Sequence, residues 1–173
     1  MKIRLVERLG RVLMKLDAVD IVIVDDEAAY FNEKMLLAAR NAGYGRIRRI
    51  YSVDSDLLAS FYKHPPDIFI LDVKGITTKD VAKDGLALAA NLRKTTSSYI
   101  AVTSAHRYHL TNRLTYVDYV IEDRLLTVVD FVDQLRLIVE DCVTTRKRFY
   151  QKLALRTGLY LTKASLTGHI ISG

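Results

Sequence analysis

Three aspartates carry the clearest chemical signal in the sequence. Asp25 and Asp26 are adjacent, follow the run DIVIV (20–24) and precede Glu27, while Asp72 follows a second run, DIFIL (67–71). Carboxylates crowded together repel one another unless they share a proton or bind a hard cation. Mg2+ is the fitting cation, because it takes one or two carboxylates and keeps open positions for phosphate oxygens. With the metal offsetting the repulsion between a carboxylate and an incoming phosphoryl group, Asp72 is a candidate nucleophile that forms an acyl phosphate. The competing reading is that Asp26 simply caps the helix that follows the strand.

For these acids to meet, the chain has to bring the ends of two runs together. Between residues 20 and 121 the runs DIVIV, RIRRIYSV (46–53), DIFIL, YIAVT (99–103) and YVDYVI (116–121) alternate with helical patterns. That alternation predicts an α/β fold, a doubly wound parallel sheet of five strands covered on both faces. Helices are expected over 27–43, closed by a glycine, over a second segment ended by HPP (64–66), and over 84–94, where Leu86, Leu88, Ala89 and Leu92 share a face. In such a sheet ligands sit beyond the carboxyl ends of the strands where the strand order reverses, beside the first and third strands. Asp25, Asp26 and Asp72 fall there.

The ordered set IVIVDDE, DIFILDV, DGLALAANLR, YIAVTSAH and VDYVI resembles the response-regulator receiver family, over residues 19–141. The resemblance implies a flavodoxin-like sheet of order 2-1-3-4-5, here with extra helices at both ends. It implies that Asp25 and Asp26 are the Mg2+ pair, that Asp72 is phosphorylated, and that the Lys74 main-chain carbonyl is a further metal ligand. Ser104 matches the hydroxyl that senses the phosphoryl group, with Thr103 as its rival one residue earlier. Tyr119 matches an aromatic that changes rotamer on activation, or else packs at the strand edge. The implied role is a signal-transduction receiver, loaded by a histidine kinase or phosphotransfer protein and acting on a downstream protein. It implies no enzyme beyond self-phosphorylation and self-dephosphorylation.

The sequence also departs from the family. Where receivers have Lys-Pro after the fifth strand, Glu122 and Asp123 stand here, turning a phosphate-pairing cation into an anion. Lys74, Arg107 and Arg124 are the candidates to supply the missing charge. The loop VKGITTKDVAK after Asp72 lacks the usual Met-Pro, and residues 104–118 leave room for only a short fourth helix. These departures motivate an alternative of a different class, a phosphorylation-independent pseudo-receiver that serves as an interaction or dimerisation module.

At 173 residues the chain suits one receiver-like domain (19–141) between an N-terminal amphipathic helix (1–18) and a basic helical extension (142–173). The extension holds six of the 26 basic residues and no acid, so the other 20 balance the 20 acidic residues of the body. Leu5, Leu9, Val12, Leu13 and Leu16 at the start, and Leu135, Ile138, Cys142, Phe149 and Leu153 near the end, recur at helical spacing. Such stripes exceed the cover of a five-helix receiver and predict a homodimer or a docked partner. The second stripe fits one long helix or two consecutive ones.

RKRFYQKLALR in the tail could hold nucleic acid, but a solvated helix face is the favoured reading. Arg46, Arg48 and Arg49 would protect an edge strand from pairing. His106 and His109 lack a nearby third ligand and are read as surface residues. The single cysteine excludes an internal disulfide, no stretch approaches a membrane span, and the expected location is the cytoplasm. A Gly-rich phosphate loop, a nucleophile elbow and a Cys–His pair are all missing, which leaves little room for a conventional enzyme.

Overall fold

The computed structural model describes residues 18–103, 114–121 and 127–157, with side chains in the last segment described as far as Arg146. The elements run β1 (Asp20–Val24), α1 (Glu33–Asn41), β2 (Arg46–Ile50), α2 (Ser55–Lys63), β3 (Ile68–Asp72), α3 (Gly85–Thr95), β4 (Tyr99–Thr103), β5 (Tyr119–Ile121) and α4 (Val128–Thr157). All pairings are parallel and the order is β2-β1-β3-β4-β5, the doubly wound sheet expected from the sequence. Among the described residues no helix is long and apolar enough to cross a membrane.

Strands buried on both faces need apolar side chains at successive positions, and here alternation divides them into two cores. Ile21, Ile23, Ile68, Ile70, Tyr99, Ala101 and Ile121 face one side, under Leu36 and Ala39 of α1 and Phe131, Leu135 and Ile138 of α4. Val22, Val24, Phe69, Leu71, Ile100 and Val102 face the other, under Phe61 of α2 and Leu88, Ala89 and Leu92 of α3. Every strand residue of β3 and β4 is buried.

The first helix begins later than the pattern over 27–43 predicts. Asn32 is its cap, and the Asn32 side chain accepts from the Lys34 and Met35 amides. Asp26 therefore does not cap α1, which removes the bland reading of that acid. The intervening turn passes through Phe31 at φ 42°, a costly conformation for a bulky residue, with its ring packed on Phe131 at a centroid distance of 5.5 Å.

At the other end, α4 is one uninterrupted helix of 30 residues, about 45 Å long, running through residue 142 without a break. It is fastened to the amino edge of the sheet. Arg146 donates to the buried Asp67 carboxylate at 2.8 Å and to the Asp67 carbonyl at 3.0 Å, and the Tyr99 hydroxyl donates to Asp141. Arg146, the first cation of the tail, is thus a structural clamp rather than part of a solvated face. The helix expected over 2–17 lies outside the described residues, as do Ser104, His106, Arg107, His109, Glu122, Asp123 and Arg124 and the side chains of Phe149 and Leu153.

Candidate functional site

The polar residues at the carboxyl edge are placed by strand register. Val24 pairs with Leu71, so Asp25 and Asp72 are each one residue beyond a matched pair on neighbouring strands. Asp72 in turn pairs with Thr103 of β4. By alternation Asp25 continues the Ile21–Ile23 side, Asp72 the Ile68–Ile70 side and Thr103 the Tyr99–Ala101 side, which are one face of the sheet. All three are buried: Asp25 and Thr103 are 0% exposed and Asp72 3%. Buried polar atoms are normally hydrogen-bonded. Thr103 Oγ1 is buried and has no hydrogen-bond partner among the described residues.

The acids are held by backbone. Asp25 Oδ1 accepts from the Glu27 amide at 2.8 Å, and Asp72 Oδ1 accepts from the Val73 amide at 2.7 Å. Asp26 is exposed, and its carboxylate rests against Gly75, where a Cβ would lie 1.9 Å from Asp26 Oδ2. Gly75 also has φ +72°, so this turn beside Asp72 requires glycine twice over. Gly85 makes a second close approach: a Cβ there would meet the Asp72 carbonyl oxygen at 1.9 Å. The start of α3 is thereby seated directly on the end of β3, with the Asp84 side chain capping it through the Ala87 amide at 2.8 Å.

The long loop from Asp72 to α3 is anchored along its length. Val53 donates to the Ile76 carbonyl at 2.8 Å and accepts from the Thr78 amide at 3.3 Å, forming a short parallel bridge with Thr77. Ile76 is fully buried beneath it. The Ser55 hydroxyl binds Asp80, and this hydrogen bond, followed by one from Thr78, holds the Asp80 carboxyl below its ordinary value.

Arg49 completes the constellation from β2. Its guanidinium donates to the Asp25 carbonyl through Nε (3.2 Å) and Nη2 (3.0 Å) and to the Ala28 carbonyl through Nη1 (3.5 Å). Nη2 also stands 4.0 Å from Asp25 Oδ1, and the Arg49 side chain is only 8% exposed. Lys74, the nearest lysine in sequence to Asp72, is exposed. Tyr119 points into the α1–α4 core, with its hydroxyl donating to Gln134 at 3.2 Å.

Among the described residues no three His, Cys, Asp or Glu side chains are grouped so that together they could hold a metal ion. The donor set still suits Mg2+, which is usually held by one or two carboxylates and completes its shell with water and substrate oxygens. Asp25 and Asp26, adjacent in the chain beyond β1, are the pair that could hold it.

Neither the protein-family models nor the curated proteins give a match to this chain. Solved structures do. The receiver domain of NtrX from Brucella abortus superposes with a TM-score of 0.56 at 23% identity, covering 73% of this chain and 99% of that one. A CheY-like response-regulator receiver domain from Methylobacillus flagellatus gives 0.54 at 19% identity, covering 69% and 98%. The chain has the response-regulator receiver fold. NtrX from Brucella abortus in complex with ATP matches with a TM-score of 0.63 at 25% identity over 86% of this chain, which spans 32% of that protein.

Within the receiver fold the sequence reading located Asp25 and Asp72 at the carboxyl edge correctly in space. Of the two rival hydroxyls, Thr103 is the one in register with Asp72, and Ser104 lies outside the described residues. Arg49 was missed. It reads as one of three edge-strand charges, and β2 is indeed an edge, with Arg46 and Arg48 exposed. Its signal was its place at the end of the strand beside β1, two residues before the register position of Asp25.

Proposed function

We propose that this chain is a signal-transduction receiver in which Asp72 accepts a phosphoryl group. The observation that carries the reading is the row of Asp25, Asp72 and Thr103 on one face of three neighbouring strands, with the Thr103 hydroxyl buried and without a partner among the described residues. A hydroxyl left without a partner at a cost of about 1–3 kcal/mol suits a group whose acceptor arrives from outside.

In the proposed reaction an Asp72 carboxylate oxygen attacks the phosphorus of a phosphohistidine or small acyl phosphate. The new O–P bond forms as the donor's P–N or P–O bond breaks, and the leaving group carries away the electron pair. Asp25 and Asp26 would hold Mg2+, which when bound would screen the acids from the incoming phosphoryl oxygens. Thr103 then donates its hydroxyl to one of those oxygens. The close approach of Gly85 to the Asp72 carbonyl keeps the Asp72 main chain in place, and output passes through contacts with another protein.

The test is beryllofluoride, a phosphoryl mimic, added with and without Mg2+ while amide spectra are recorded. The expected result is a shift of residues around Asp72, Thr103 and Tyr119 that requires both additions and is lost in Asp72→Asn. Spectra unmoved by the pair of additions would instead support a phosphorylation-independent docking module, the reading that Glu122 in place of lysine favours.

A further inference from the structure

Arg49 has no counterpart in the phosphoryl-transfer scheme above, yet among the described residues it is the cation most deeply enclosed at the acidic edge. Its two neighbours on β2 point away: Arg46 is exposed, and Arg48 pairs with Asp20 at the opposite end of β1. Arg49 is registered with Ile23, so its side chain shares the face on which Asp25 continues. Tyr51 covers the guanidinium from outside, with the ring centroid 4.6 Å from Cζ. A guanidinium stays charged at any working pH, and enclosing one is costly unless acceptors meet it. Here the acceptors are the Asp25 and Ala28 carbonyls, with the Asp25 carboxylate in Coulomb range at 4.0 Å.

We infer that Arg49 is a positioning residue that acts as the resident cation of the acidic site: it folds the 25–28 loop before any metal arrives and opposes the divalent ion that binds there. The inference rests on the reading that Asp25 and Asp26 hold Mg2+. A purely structural arginine would stabilise the loop and leave metal affinity alone. A resident cation makes the two effects run in opposite directions, because a fixed positive charge beside Asp25 repels the incoming ion. It also places a fixed cation 4.0 Å from the buried Asp25 carboxylate, in a chain whose usual lysine position is Glu122.

The experiment is a calorimetric Mg2+ titration and a thermal melt, with and without Mg2+, of the full chain and of Arg49→Gln and Arg49→Lys. Arg49→Gln should melt lower without metal, bind Mg2+ about tenfold tighter and gain more from it in Tm. Arg49→Lys keeps the charge but loses the fork, so it should melt lower and retain the parent affinity for Mg2+. Folding of Arg49→Gln only in the presence of Mg2+ supports the inference in its strongest form. If that variant folds in neither condition, Arg49→Met, which preserves the stem against Tyr51, is read the same way. Equal or weaker Mg2+ binding in the charge-removing variant, with the parent responding normally, overturns the inference alone. Silence to Mg2+ in parent and variants overturns the metal reading with it.

Discussion

Thr103 shows how a single atom can separate stability from function. Its hydroxyl is enclosed at the end of β4 with no hydrogen-bond partner among the described residues, so its desolvation is uncompensated. Valine has the same shape without the hydroxyl. Thr103→Val should therefore be as stable as the parent or more stable by about 1 kcal/mol, measured by urea denaturation, while its response to beryllofluoride and Mg2+ is lost. Thr103→Ser should keep that response. Loss of stability in the valine variant would show that the hydroxyl is already satisfied and has no site-directed role.

Among the elements, α4 has the most to lose from one change. Asp67 joins three parts of the fold: its carboxylate accepts from the Asp20 amide at 3.0 Å and from Arg146 at 2.8 Å, and its main chain links to β1 and β4. Removing the carboxylate leaves Arg146, whose side chain is only 21% exposed, with the Asp67 carbonyl but without its ion-pair partner. Asp67→Ala should cost about 3 kcal/mol, seen as a lower denaturation midpoint, with early hydrogen exchange in α4. The strands were legible because a parallel sheet needs apolar side chains on both faces, and β1 and β4 match the runs at 20–24 and 99–103. The start of α1 was not, because a helical pattern over 27–43 competes with Asn32, a better cap, and with the grip of Arg49 on the preceding turn. That grip depends on which strand lies beside β1. Local spacing reveals the acids of the site, but its cation becomes visible only once the strand order is known.

For the whole molecule, the buried acid groups set its tolerance to base. Burial pushes the Cys142 thiol up from 9.0 to about 11, and burial followed by the Asp141 hydrogen bond raises the Tyr99 hydroxyl above its ordinary 10.0. Tyr44 is raised too, chiefly by burial. Above pH 9 the unfolded chain releases protons that the folded chain retains, so stability should be full below that point and fall as pH climbs towards 11. Thermal melts across that range check the sign. At neutral pH Cys142, 2% exposed, should resist alkylation until the protein unfolds. Function at this scale turns on whether the receiver fold has kept its chemistry at Asp72. Intact mass after incubation with acetyl phosphate and Mg2+ addresses this most directly. The account predicts a gain of one phosphoryl group that needs the metal and disappears in Asp72→Asn, whereas no gain in the parent, or an equal gain in that variant, would contradict it.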